Sequence, residues 1–198
     1  MPVDRDAIVA RALGLVGLSY GATRDRYVDA LYPHDARGVA LSMAGSQSSC
    51  GLTCEAILRT VGIESLEPYA SSLRGVRLPA VVWQREEAKR RGAWVDATTW
   101  DESRQLPIMG DMVEIGGGGH GWSDPGVYAG AHVLTLVGGE RYDADSVDGG
   151  QSDAQNSARP TAIGRRARRF DERANQLWLV DTDGRGRRVA GWIDVSRL

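Results

Sequence analysis

Cysteine is scarce in this chain of 198 residues, with two, and phenylalanine scarcer, with one. The cysteines, Cys50 and Cys54, sit four apart in a segment whose pattern is helical. Helical neighbours at that spacing hold their Cβ atoms about 5–6 Å apart, whereas a disulfide requires about 3.5–4.5 Å, which argues against an intrachain bridge. Histidine is also sparse, with three. A zinc site takes about four ligands, and no paired Cys or His motif completes one, so neither metal nor cofactor is expected. Lys89 is the sole lysine, and arginine carries the positive charge. The formal net charge is only −2, so no global field draws in nucleic acid or an anionic membrane. No apolar run is long enough to span a bilayer. The start, Met1-Pro-Val-Asp-Arg-Asp6, lacks the order of a signal peptide, and Arg11 interrupts the apolar stretch. The expectation is synthesis in the cytoplasm, with any delivery outside by a route that needs no cleaved signal.

What is present is a composition ordinary for a globular protein, 42% apolar and 25% charged. The length suits one domain, 1–198. Helical periodicity runs over 3–18, where Asp4 or Asp6 can cap and Gly17 can end the element, and over 80–91. Residues 24–45 read as a short helix and an irregular loop. The clearest helix lies within 46–62, with Ser48 or Ser49 as cap, Cys50 in the first turn and Gly62 at the end. After Pro107 the period changes to alternation. Strands are expected near 111–115, 127–137, 140–147, 161–170, 177–182 and 187–193. Gly138-Gly139 and Asp183-Gly184 are hairpin signals. Helices followed by strands imply an α+β domain with an antiparallel sheet.

A cysteine at a helix start has its thiolate stabilised by the helix dipole, and its amide points where an oxyanion would form. The natural proton acceptor is histidine. His132 begins an alternating strand that would hold its ring, whereas His34 reads as a surface residue and His120 sits in a glycine loop. A two-residue turn at Gly138-Gly139 puts Asp145 opposite His132, where a carboxylate can orient the imidazole. Asp143 or Asp148 takes that place if the turn is longer, and Gln151 is another polar partner.

Several short motifs here resemble the NlpC-like cell-wall cysteine peptidases, relatives of the CHAP amidases in the papain-like superfamily. They are Leu15-Val-Gly-Leu-Ser-Tyr20-Gly21, Ser49-Cys50-Gly51-Leu52 closing on Gly62-Ile63, Gly110-Asp111-Met112-Val113 after Pro107, and His132-Val133. The family has aspartate where Ser49 stands and a serine after the nucleophile where Gly51 stands. The resemblance spans roughly 7–147, and the tail beyond about 150 has no counterpart. It implies a papain-like, NlpC-type fold in which N-terminal helices, the nucleophile helix among them, pack on an antiparallel β-sheet. It also implies hydrolysis of an amide in peptidoglycan stem peptides through a thioester, by an amidase or endopeptidase.

The expected site is therefore Cys50, His132 and Asp145, with Tyr20, Gln47, Gly51 and His120 as candidates for substrate or oxyanion contact. Cys54, one turn deeper, reads as core. Arg165, Arg166, Arg168 and Arg169 read as a solvated strand face. Gly116–Gly119 is not a phosphate loop, because no lysine follows it. Asp181–Gly186 lacks the closing glutamate of a calcium loop and reads as a hairpin turn. An exported antibacterial effector or a phage-type lysin fits these features, with an immunity protein or a secretion or tail component as partner. The rival readings are a cytosolic cysteine deamidase, transglutaminase or protease acting on a protein, and an inactive binding or structural module.

Overall fold

The structure, a computed structural model, describes residues 3–33, 37–44, 49–63, 80–98, 100–101, 104–116, 132–151 and 161–198. Helices come first: α1 (Arg5–Leu15), α2 (Arg24–Leu31), α3 (Arg37–Ala44), α4 (Cys50–Leu58) and α5 (Ala80–Arg90). Strands follow: β1 (Trp94–Asp96), β2 (Met112–Ile115), β3 (His132–Gly138), β4 (Asp143–Gln151), β5 (Ala162–Arg173), β6 (Gln176–Asp181) and β7 (Gly186–Ile193). Asp4 caps α1 by accepting the Ala7 N–H at 3.1 Å. Gly62, at φ +76°, stops the single 3₁₀ turn that prolongs α4, a conformation that costs glycine little.

All strand pairings are antiparallel, in the order β1-β7-β2-β3-β4-β5-β6, and β6 also pairs with β7. That last pairing corrects the expected papain-like arrangement of helices laid on a sheet. Six strands close into a barrel, and β1 lies outside it on β7. Closure follows from the reach of β7. Its first half, Gly186–Arg188, pairs with β6, and its second half, Val189–Ile193, pairs with β2. An open sheet and a closed barrel bury the same alternating residues, so the strand pattern alone does not separate them.

β3 is buried on both faces. Leu134 and Leu136 join Val113, Phe170, Leu177, Leu179, Val189 and Trp192 in the barrel core. Val133 and Val137, with Val147 and Ile163, pack beneath Ile8, Leu15, Tyr27, Leu31 and Ile57 of the helices. Two ion pairs pin the helices down. Glu114 of β2, buried, takes both arms of Arg85 from α5. Asp111, also buried, accepts from Arg5 of α1 at 2.7 Å, from the Ile108 N–H at 2.9 Å and from the Val195 N–H at 3.2 Å. The Gly110-Asp111 motif therefore ties α1, the start of β2 and the C-terminus together. β1, which the sequence pattern does not reveal, spans three residues, too few to show a period. It seats its Trp94 where a Cβ on Gly191 would come within 2.4 Å of the indole. Among the described residues no helix is long and apolar enough to cross a membrane.

Phe170 is 3% exposed inside the barrel. Phe170→Ala is expected to cost about 3–5 kcal/mol, read from urea unfolding. A loss under about 1 kcal/mol would mean that the barrel interior is not close-packed there.

Candidate active site

Cys50 is the first residue of α4 and Ser49 its N-cap, so the thiol meets the positive end of the helix. Ser49 makes no side-chain cap bond to its own helix. Its Oγ accepts instead the N–H of Gly150, on β4, at 2.7 Å. Thr53, one turn on, donates its hydroxyl to the Ser49 carbonyl at 2.8 Å. Gly149 lies against both. A Cβ there would come 2.3 Å from Thr53 Oγ1 and 2.6 Å from the Ser49 carbonyl oxygen. Gly150 adopts φ +75°, left-handed backbone that suits glycine. The sequence Asp148-Gly149-Gly150 thus lets β4 touch the start of α4.

His132, the first residue of β3, meets Asp148 there. Its Nε2 lies 3.2 Å from Asp148 Oδ2, and its side chain is 14% exposed. The Cys50 side chain is hydrogen-bonded to the same imidazole. Burial pushes the imidazole pKa down, but the hydrogen bonds to Asp148 and Cys50 and the charges on both outweigh it and lift the value from 6.5 to about 9.

Asp148 has no exposure to solvent. Its Oδ1 accepts from Ser146 Oγ at 2.8 Å and from Arg168 Nη1 at 2.7 Å. Its Oδ2 accepts from Arg168 Nη2 at 2.5 Å and from Gln151 Nε2 at 3.3 Å. Burial pushes the carboxyl up, but His132 and Arg168 more than offset this and hold it well below the usual carboxylate range. Arg168 continues the row, with Nε 2.6 Å from Asp181 Oδ1 and Nη1 also on Ser146 Oγ. Neighbouring elements α4, β3, β4, β5 and β6 each contribute one member: Cys50, His132, Asp148, Arg168 and Asp181.

Asp145 stands elsewhere, paired with Arg165 at 2.5 Å on the outer surface. The reason is register. A two-residue turn would set Leu136 opposite Arg141, but Leu136 lies opposite Ser146. The turn is longer, Gly139–Tyr142, with a bulge between Leu136 and Gly138. A Cβ on Gly139 would fall 2.2 Å from the Asp143 carbonyl oxygen, so the turn depends on glycine. A slip of five residues is odd, and an odd slip exchanges the faces of a strand. It carries Asp145 and Asp143 off the His132 face and brings Asp148 onto it.

Gly51 is buried in α4, and its carbonyl accepts from Gln84 Nε2 of α5 at 2.7 Å. Tyr20 packs at the margin of the helix-side core, with the Arg24 guanidinium 4.9 Å above its ring. Gln47, His120 and His34 lie outside the described residues. Cys54 is 1% exposed, its sulfur 3.5 Å from Thr135 Oγ1, and burial pushes its thiol pKa far up. Neither cysteine is in a disulfide. Arg165, Arg166 and Arg169 are solvated, but Arg168 is not, its side chain being 4% exposed. The only sequence signal for that exception is its shared strand parity with Phe170. Among the described residues no cluster of three or more His, Cys, Asp or Glu side chains could hold a metal. A cavity of about 560 Å³ opens at the turn end of the barrel, lined by Gly139, Asp145, Arg168, Asp181 and Gly184 among others, but not by Cys50, His132 or Asp148.

The arrangement supplies a thiol, a base in contact with it and a buried carboxylate that fixes the base, which together suit nucleophilic attack on a carbonyl. No protein-family model matches the chain, and no curated protein and no solved structure is significantly similar to it.

Four outcomes are expected. Gly149→Ala should force β4 off α4, lowering the melting temperature and slowing iodoacetamide labelling of Cys50. Ser49→Ala, which loses one hydrogen bond, should cost only about 0.5–1.5 kcal/mol. Equal and negligible effects would show that the contact does not position the site. His132 should titrate by NMR near 9 rather than 6.5. Because its folded pKa is raised, its contribution to stability is complete below about pH 6.5 and is lost as pH rises through about 9. His132→Gln should remove that decline from the unfolding free energy.

Proposed function

We propose that the chain is a cysteine-dependent amide hydrolase in which Cys50 is the nucleophile, His132 the general acid and base, and Asp148 the residue that holds the imidazole. The observation that carries this reading is the contact of one imidazole with the Cys50 side chain on one side and a buried carboxylate on the other. An imidazole with a pKa near 9 is protonated at neutral pH, and its charge favours a thiolate beside it.

The thiolate attacks the amide carbonyl carbon, forming a C–S bond and an oxyanion at the helix start. Collapse breaks the C–N bond, and His132 gives its proton to the leaving amine. The product is a thioester and a neutral imidazole. Water then attacks the thioester as His132 takes its proton, the C–S bond breaks, and the acid departs. Asp148 keeps the imidazole in the tautomer and orientation that both steps need.

The substrate class rests on the motif order over 7–147 that resembles the NlpC-like cell-wall peptidases, so we assign peptidoglycan stem peptides to the site. Delivery by a secretion machine, a phage tail or lysis fits such a substrate, with an immunity protein or a tail component as the macromolecular partner. The contact between Cys50 and His132 counts against an inert binding module, which would have no need to bring them together.

The test is digestion of purified peptidoglycan, with the fragments identified by mass. Wild-type protein should release peptides, Cys50→Ala should release none, and Asp148→Asn should be slower by about 10²-fold or more. Turnover above pH 9 should fall, because the proton for the leaving amine is then lost from His132. Digestion that survives Cys50→Ala would remove the thiol mechanism. An intact wall with Cys50 still labelled by iodoacetamide would move the same chemistry to a protein substrate.

A further inference from the structure

The row of charges does not end at the carboxylate that faces His132. Arg168 is the one arginine of its cluster turned into the protein, and it spends four N–H contacts on three acceptors: Asp148, Ser146 and Asp181. Two of the contacts form a parallel fork on the two Asp148 oxygens, a geometry that fixes a carboxylate in rotation as well as in place. A carboxylate held by one oxygen could swing about its terminal torsion and carry Oδ2 away from the imidazole. One held by both cannot swing without breaking a charge-assisted bond. The third contact, from Nε to Asp181 at 2.6 Å, stops the guanidinium itself from moving.

We propose that Arg168 is a positioning residue for the reaction, gripping Asp148 by both oxygens so that Oδ2 stays on His132, while Asp181 anchors the guanidinium from the far side. Arg168 touches neither Cys50 nor the reacting atoms, and it acts through Asp148 alone. The assignment rests on the Cys50, His132 and Asp148 reading given above. Among the described residues, the ionisable groups that face His132 are Cys50 from α4 and Asp148 from β4, with Arg168 on β5 and Asp181 on β6 behind the carboxylate. Asp181 lines the cavity at the turn end of the barrel, and its side chain is 31% exposed. Its amide variant therefore exposes no new buried charge to water-free surroundings other than that of Arg168, which keeps its partner in Asp148.

The experiment uses the full chain and three variants: Arg168→Lys, Arg168→Met and Asp181→Asn. Lysine keeps the charge but loses the fork, so it separates geometry from electrostatics. Two readouts need no substrate: the NMR titration midpoint of His132 and the iodoacetamide rate at Cys50 near neutral pH. If Arg168 positions Asp148, folded Arg168→Lys shifts the His132 midpoint from near 9 back towards 6.5 and slows alkylation. Asp181→Asn does the same to a smaller degree. On peptidoglycan, kcat falls about 10–100-fold with KM little changed. A merely structural arginine would lower the melting temperature of these variants and leave midpoint, alkylation rate and kcat where they were, and that result overturns the proposal. Arg168→Met leaves Asp148 without its cation and is expected to fold poorly, in which case Asp181→Asn decides. A wild-type midpoint in folded Asp181→Asn and Arg168→Lys counts against the proposal even if the wall is digested. A shifted midpoint supports it even if the wall is not the substrate.

Discussion

A carboxylate sealed from water keeps its charge only if the protein replaces the water. Asp148 is such a group, and most of the site is arranged around it. Each of its oxygens takes hydrogen bonds that water would otherwise supply, from Ser146, Gln151 and Arg168. What remains of its field falls on His132. The same negative charge that Arg168 makes tolerable in the interior helps, with Cys50, to raise the imidazole. Without the arginine the carboxylate would lose the cation that grips both its oxygens; without the carboxylate the imidazole would lose the hydrogen bond that most raises its pKa.

The barrel is what makes this arrangement economical in space. Consecutive neighbours β3, β4, β5 and β6 each present one polar side chain to the next, so the row runs across the strands rather than along one of them. Strands in a closed sheet are held by partners on both edges, so the side chains they carry keep fixed separations. Cys50 is the exception, since it comes from a helix packed outside. A close approach places it against β4, where Gly149 presents bare backbone to Ser49 and Thr53. Ser49, before Cys50, has a use of its own. It binds the strand that bears the carboxylate instead of capping its helix.

Much of the local structure could be read from residue order. The helix beginning at Cys50 and ending near Gly62, the strand beginning at His132, and the strands after Ala162 follow from caps, glycines and alternation, all of which act over a few residues. The choice among Asp143, Asp145 and Asp148 could not be read, because it turns on the length of the Gly139–Tyr142 turn and on one bulge, and an odd change in either exchanges the faces of β4. Arg168 was equally hidden. Four arginines in five positions look alike in composition, and only the register of β5 between β4 and β6 shows which one is enclosed.

The sequence by itself determined where Cys50 and His132 stand, since a cysteine at a helix start and a histidine at a strand start are local facts. The tertiary structure decided the rest: that the strands close on themselves, that β4 reaches α4 through two glycines, and which acid and which arginine stand behind the imidazole. The physical reason is range. Helix caps and alternation are settled by neighbours in the chain, whereas closure, register and the pairing of buried charges are settled between strands distant in sequence, where one residue of slip reverses the outcome.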